Sequence, residues 1–239
     1  MKSKSVAIVL AAGSGSRMNS DIPKQYMELM GKPVLYYSLD TFEKSNIDEV
    51  ILVVRSSEIE YTLSNIVEQY KFKKVTKIIS GGKERYNSVY NGLKEIDSAD
   101  YVLIHDGARP FITVELINRV LIQVEKYKGC IVGMPSKDTI KVVNEENLVT
   151  STPDRSLTWI VQTPQAFSYS LIMEAYNKII SKIKSKDKDI MNINITDDAM
   201  VVEYSTNHPI KLIEGSYSNI KITTPDDIII GNALMESMF

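Results

Sequence analysis

The stretch that most limits how this chain can fold is Val6-Ala7-Ile8-Val9-Leu10, which runs straight into Ala11-Ala12-Gly13-Ser14-Gly15-Ser16-Arg17-Met18. A short apolar run with β-branched residues reads as a strand buried on both faces. The small residues at its end, two of them glycines, let the backbone turn sharply and lie close against a ligand. Successive backbone N–H groups in such a loop form a nest for anionic oxygens. Arg17 and Lys24 then add two positive charges to a turn that would fold without them. The spacing fits neither familiar phosphate loop. The dinucleotide fingerprint places a third glycine three residues after the second, where this chain has Met18. The P-loop closes on Gly-Lys-Ser/Thr, whereas Gly15 is followed by Ser16-Arg17.

Further strands and helices alternate behind this opening. Glu49–Val54 and residues 75–79, 101–104 and 130–134 read as buried strands. Pro33 opens a helix with Leu35, Leu39 and Phe42 on one face, and Leu63, Ile66, Val67 and Tyr70 mark another helical stretch. Thr113 caps a third helix, with Leu116, Val120 and Val124 on its apolar face and Gly129 at its end. Residues 171–183 form a fourth. This is an α/β pattern with a mostly parallel sheet. In such sheets ligands bind beyond the carboxyl ends of the strands. His105 and Asp106 fall at one such end, and Gly81-Gly82 fall at another, ahead of a helix that holds Ser88. Asp106 suits a ribose hydroxyl, a substrate hydroxyl, Mg²⁺ or a structural pair with Arg109. His105 reads as a group oriented by hydrogen bonds rather than a general base.

The period changes after residue 137. Residues 138–143 alternate, Asn144-Glu145-Glu146-Asn147 form a polar turn, and residues 148–152 return. A two-stranded hairpin is not stable alone, so this one must pack on something. Residues 182–189 read as a solvated loop. Thr196 is expected to cap a helix begun by Asp197 and Asp198, and Thr224 to cap a last helix that opens with Pro225.

At 239 residues the chain suits a single domain, 1–239. A net charge of -2 argues against a nucleic-acid binder with a broad basic surface. No apolar run approaches the roughly 18 residues of a membrane helix. The N-terminus enters the first strand at once, which leaves no room for a signal peptide. The single cysteine, Cys130, is expected to be buried, and a cytoplasmic location follows. Two distant histidines, His105 and His208, build no zinc-type cluster, so the metal ligands are left unknown.

The strand, the Ala-Ala-Gly-x-Gly-x-Arg-Met loop and Pro23-Lys24-Gln25 together resemble the nucleotidyltransferase superfamily, and within it the family of 2-C-methyl-D-erythritol 4-phosphate cytidylyltransferases. Gly81-Gly82-x-x-Arg85-x-x-Ser88-Val89, His105-Asp106-Gly107-Ala108-Arg109-Pro110, Arg155-x-x-x-Trp159, Gln162-Thr163-Pro164-Gln165 and Thr196-Asp197-Asp198-Ala199 extend that resemblance over nearly the whole chain. One departure is Gly107, where the family commonly has Ala; it eases the packing of that loop. The resemblance implies a Rossmann-like three-layer sandwich with a mostly parallel central sheet and a protruding β-hairpin arm, residues 136–160, that embraces a second subunit. It implies CMP transfer from CTP to the polyol phosphate, with Mg²⁺ or another divalent cation. Arg17, Lys24, Arg155 and Lys221 become the catalytic residues, the first pair at the triphosphate and the second at the acceptor phosphate. Ala11, Ala12, Gly13, Ser14, Gly15, Ser16, Gly81, Gly82, Lys83, Ser88, Asp106, Gly107, Ala108, Arg109, Thr139 and Thr163 become substrate-binding, with the cytidine near Gly82 and Ser88. A ribitol 5-phosphate cytidylyltransferase is the nearest alternative; the His-Asp-Gly-Ala-Arg-Pro and Thr-Asp-Asp-Ala stretches favour methylerythritol phosphate. The four cations together speak against a non-catalytic nucleotide-binding protein.

Overall fold

The computed structural model describes residues 3–13, 15, 18, 22–187 and 193–238. Its strands in chain order are β1 (Ser5–Leu10), β2 (Glu28–Leu29), β3 (Lys32–Pro33), β4 (Glu49–Val54), β5 (Val75–Ser80), β6 (Tyr101–Asp106), β7 (Gly129–Pro135), β8 (Val142–Val143), β9 (Val149–Ser151), β10 (Trp159–Ser168) and β11 (Lys211–Glu214). The helices are α1 (Val34–Lys44), α2 (Ile59–Thr62, continued by a π-helical turn Leu63–Glu68), α3 (Arg85–Lys94), α4 (Val114–Tyr127), α5 (Tyr169–Lys184), α6 (Asp198–Ser205) and α7 (Pro225–Met238). Seven strands form one sheet in the order β11-β7-β10-β6-β1-β4-β5, parallel except for β10.

Alternation along β1 sets the layers. Ala7 and Val9 pack with Leu35, Leu39 and Phe42 of α1, Ile66 beyond α2, and Leu116, Val120 and Val124 of α4. Val6 and Ile8 face the other way, against Val89 and Leu93 of α3, Ile172 and Ile179 of α5, and Val201 and Val202 of α6. Side chains of a strand point to opposite faces in turn, so one apolar run anchors both helical layers. The result is the expected three-layer α/β sandwich. A smaller cluster ties Leu29, Val34, Phe111 and Ile222 to Met235 of α7.

The chain leaves β1 for β4 and β5 on one side, then returns to the other side for β6. That reversal is the switch point at which open α/β sheets bind ligands. Register brings Leu10 opposite both Val53 and Asp106, so the loops after β1, β4 and β6 leave one edge together.

Four readings change. The sequence reading named motifs within residues 159–168 but placed no strand there, and a proline inside a strand is uncommon. β10 accommodates Pro164 with a register shift between Val161 and Gln165, beside a cis Thr163–Pro164 peptide. The left-handed residue that ends α4 is Lys128 (φ 59), not Gly129, which begins β7. Lys128 is held there by its N–H on Val124 O and its ammonium on the Tyr101 hydroxyl at 3.0 Å. The cap of α6 is Asp197, whose carboxylate accepts from Met200 N at 2.9 Å, rather than Thr196. Residues 182–184 belong to α5 instead of a loop, while Lys188 and Asp189 lie outside the described residues.

The hairpin is present as β8 and β9, joined through Asn144 and Asn147, and is shorter than the alternation predicted. The two-residue turn Met30-Gly31, with φ of 49° and 75°, closes the β2–β3 pair, whose strands are too short to leave a sequence pattern. Cys130 is buried, and burial pushes its thiol up to about 12.

Candidate active site

Two cavities open along the switch-point edge. One, of about 610 Å³, is lined by Ala11, Ala12, Gly13, Gly15, Lys24, Arg55, Gly82, Lys83, Ser88 and Ala108. The other, of about 640 Å³, is lined by Arg109, Val161, Gln162, Thr163, Gln165 and residues of the α6 region. Arg85, Asp106 and Lys221 line both, so they form a shared wall.

The first cavity is built on close backbone approach. Gly15 has φ +64°, and Lys24 packs over it. A Cβ on Gly81 would lie 2.5 Å from the Ala12 Cβ and 2.9 Å from Ser88 Oγ, so the two loops touch only because that side chain is absent. Ser88 Oγ accepts from Gly82 N at 3.0 Å and fixes the second loop over the start of α3. The Lys24 ammonium donates to Ile222 O at 3.0 Å, which reaches the loop that carries Lys221. That loop is tied down on its other side: Ile222 N donates to Ala108 O, Arg109 Nη1 donates to Asn219 O at 2.8 Å, and Asn219 Nδ2 donates to Gln162 Oε1 and Thr163 O.

Asp106 sits at the centre of the wall. Its Oδ2 accepts from the Lys221 ammonium at 2.7 Å, with Arg109 Nε 4.0 Å away, and its Oδ1 faces Arg85 Nε at 3.5 Å. Of the roles open to Asp106 in the sequence, the structure therefore shows an ion pair, but with Lys221 and Arg85 more closely than with Arg109. Burial alone would push the carboxyl up; Arg85, Lys221 and Arg109 outweigh it and hold it well below the usual carboxylate range. Three cations around one carboxylate leave the wall net positive, which suits anionic reactants on both sides. The Arg109 Nε is buried without a hydrogen-bond partner among the described residues.

His105 is buried beneath this wall. A carbonyl only accepts, so its Nε2 donates to Arg109 O at 3.3 Å, and its Nδ1 accepts from the Thr163 hydroxyl at 3.0 Å. Thr163 Oγ1 in turn accepts from Asp106 N at 3.1 Å. Burial pushes the imidazole down to about 3, so it is neutral and serves as a spacer that orients Thr163 and the Arg109 backbone.

Arg85 is the functional residue that the sequence reading quoted in a motif and left without a role. It makes a two-pronged pair with Asp198, Nη1 to Oδ1 at 2.9 Å and Nη2 to Oδ2 at 2.7 Å. The Tyr176 hydroxyl donates to Asp198 Oδ1 at 2.6 Å. Gln165 sets Asp198 in place, its Oε1 accepting from the Asp198 and Ala199 N–H groups and its Nε2 donating to Asp197. Burial works against the Arg85 charge; Asp198 and Asp106 prevail and raise its pKa well above the ordinary guanidinium value. The second acid of Thr-Asp-Asp-Ala is thus an ion-pair partner, and the first is the cap.

Of the residues named from sequence, Ala11, Ala12, Gly13, Gly15, Lys24, Gly82, Lys83, Ser88, Asp106, Ala108, Arg109, Thr163 and Lys221 line the cavities. Gly81 supports them from behind. So does Gly107, where an added Cβ would lie 2.9 Å from Leu35 Cδ1 and 3.1 Å from Leu10 O. Ser14, Ser16 and Arg17 lie outside the described residues. Arg155 and Thr139 are exposed on the arm and line neither cavity of their own chain. Among the described residues, no three His, Cys, Asp or Glu side chains converge on a point. The one carboxylate on the wall is already paired with cations. These donors do not fit a resident metal centre.

The family model described as IspD, 2-C-methyl-D-erythritol 4-phosphate cytidylyltransferase, matches residues 5–237. A protein of that name from Lachnoclostridium phytofermentans is 50% identical over 232 residues, covering 97% of this chain and 96% of that protein. Another of that name from Clostridium botulinum is 44% identical over 238 residues, covering 99% of each chain. A crystal structure of 4-diphosphocytidyl-2C-methyl-D-erythritol synthase from Anaerococcus prevotii superposes with a TM-score of 0.84 at 36% identity, over 98% of this chain and 96% of that one. The Francisella tularensis 2-C-methyl-D-erythritol 4-phosphate cytidylyltransferase gives 0.76 at 31% identity, over 97% and 99%. With its glycine loop, its shared cationic wall and these matches along its length, the chain belongs to the 2-C-methyl-D-erythritol 4-phosphate cytidylyltransferase family.

Proposed function

We propose that this chain transfers CMP from CTP to 2-C-methyl-D-erythritol 4-phosphate, giving 4-diphosphocytidyl-2-C-methyl-D-erythritol and pyrophosphate. The observation that carries the reading, beside the family, is the wall of Arg85, Asp106 and Lys221 common to two cavities. CTP occupies the cavity of Gly13, Gly15 and Lys24, with its base toward Gly82 and Ser88. The polyol phosphate occupies the cavity of Arg109 and Thr163. A phosphate oxygen of the acceptor attacks the α-phosphorus in line. The bond from that phosphorus to the bridging α–β oxygen breaks, and pyrophosphate leaves with the electron pair. A phosphate monoester is largely dianionic near neutral pH, so no strong base is needed. The barrier lies in bringing anions together and in stabilising charge on five-coordinate phosphorus, which fixed cations and positioning supply. Lys24, with Arg17, serves the triphosphate, and Lys221 serves the acceptor phosphate.

Arg155 and Thr139 enter from a second copy of the chain. Support comes from the arm, where Leu148 is 61%, Val149 59% and Leu157 81% exposed. Apolar exposure of that order on a two-stranded projection calls for a partner surface. Magnesium, or another divalent ion, arrives on the triphosphate as part of the substrate, since the described residues offer no cage for it. No helix among the described residues is long and apolar enough to cross a membrane. A cytoplasmic reaction is part of the proposal.

Purified protein given CTP, a divalent salt and either methylerythritol 4-phosphate or ribitol 5-phosphate should release pyrophosphate with the first acceptor. Release with ribitol 5-phosphate alone would reassign the substrate. CTP binding without release from any acceptor would remove the catalytic reading.

A further inference from the structure

We infer that Arg55 is a further nucleotide-binding residue, one that holds the phosphates which depart as pyrophosphate. The inference rests on the reading of the first cavity as the CTP site. Arg55 follows the last residue of β4, at the same sheet edge as the phosphate loop, and lines that cavity beside Gly13, Gly15, Lys24 and Gln25. Its Nη2 donates to Gly13 O at 3.1 Å, so the guanidinium lies against the glycine loop itself. Its side chain is 36% exposed, which leaves the head open to solvent and to a ligand.

The aim of the guanidinium is set from below. Glu58, with a side chain only 12% exposed, places Oε1 3.7 Å from Arg55 Nη1. The other oxygen of Glu58 accepts from Gln25 Nε2 at 3.1 Å and the Tyr26 hydroxyl at 3.2 Å, the residues that follow Lys24. One half-buried carboxylate thus fastens the Lys24 segment and orients Arg55 toward the same cavity. A guanidinium carries five N–H donors. With one on Gly13 and a loose ion pair to Glu58, it keeps donors for phosphate oxygens, which its fork matches in pairs. A purely structural arginine would not need to stand on the rim of an anion-binding loop.

The role separates by ligand. Arg55→Gln should weaken CTP binding about tenfold to a hundredfold, the loss expected for charge-assisted hydrogen bonds to phosphate. It should weaken inorganic pyrophosphate likewise and leave CMP, which lacks the outer phosphates, within about twofold. Arg55→Lys, which keeps the charge and loses the fork, should fall between. Calorimetric titration of each variant with CTP, CMP and pyrophosphate reads all three, and a thermal melt close to the parent confirms the fold. Equal weakening of CTP and CMP would mean a structural role and overturn the inference. So would CTP affinity unchanged in Arg55→Gln while the parent binds CTP well above CMP. A parent that binds no CTP would instead remove the reading of the cavity, and this inference with it.

Discussion

Replacing Asp198 with asparagine tests the wall without changing its volume. Asp198 is fully buried and accepts three hydrogen bonds, two from Arg85 and one from Tyr176. An asparagine that keeps its oxygen at the Oδ1 position turns an amide N–H toward Arg85 Nη2, donor against donor. The flipped amide instead opposes Arg85 Nη1 and depends on the Tyr176 hydroxyl turning to accept. Either way a charged bond is lost, and the mostly buried guanidinium keeps one neutral amide oxygen and, as its anionic partner, Asp106 at 3.5 Å. Breaking one side of a buried ion pair costs about 3–5 kcal/mol. For a chain of this size each kcal/mol lowers the melting temperature by roughly 2–4 °C, so the fall should be on the order of 6–20 °C. Against a mid-range domain stability of about 10 kcal/mol the protein should still fold at 25 °C. Released from Asp198, Arg85 leans further onto Asp106 and competes with Lys221. Acceptor kcat/KM should therefore drop on the order of 10- to 100-fold, as for a misplacement of about an ångström. Thermal melts and initial rates of pyrophosphate release measure both. A melting temperature within about 2 °C of the parent, with unchanged kinetics, would refute the argument that Asp198 holds the wall through Arg85.

Lys24→Ala should fold normally and turn over about a hundred- to a thousand-fold more slowly, as when one preorganised donor is lost; unimpaired turnover would falsify its role. The acid limb of stability should carry the signature of His105. Folded, this imidazole stays neutral down to about 3, whereas unfolded it takes up a proton near 6.5. The unfolded chain therefore binds more protons between those values, and stability present above 6.5 is lost as the pH falls through that window, by up to about 1.4 kcal/mol per pH unit. Urea midpoints measured from pH 7 to pH 4 should fall less steeply in His105→Gln than in the parent, and parallel slopes would contradict the buried, neutral assignment.

What the sequence disclosed and what it withheld follow from the same physics. β1 was legible because a strand buried on both faces must be apolar throughout. Thr113 and the α4 face were legible for the same local reasons. β10 was hidden by Pro164, which argues against a strand until the register shift is seen. Lys128 took the left-handed position through a side-chain contact with Tyr101, which lies 27 residues away. Arg85 and Asp198 are 113 residues apart, and nothing local distinguishes an acid that caps a helix from one beside it that pairs with an arginine. The residues on strand ends and loops that line the cavities were open to the sequence because small residues and cations after an apolar run leave a local pattern. Their supports, Gln165, Tyr176 and Asp198, look like ordinary helix and strand residues until the sheet brings them together.

In the proposed reaction two reactants lie in adjoining cavities and meet directly across one wall. The stereochemical course at the α-phosphorus tests it. With a CTP analogue made chiral there by sulfur substitution, a single in-line displacement inverts the configuration in the diphosphocytidyl product. Retention would mean two displacements through a nucleotidylated protein and would rule out direct transfer.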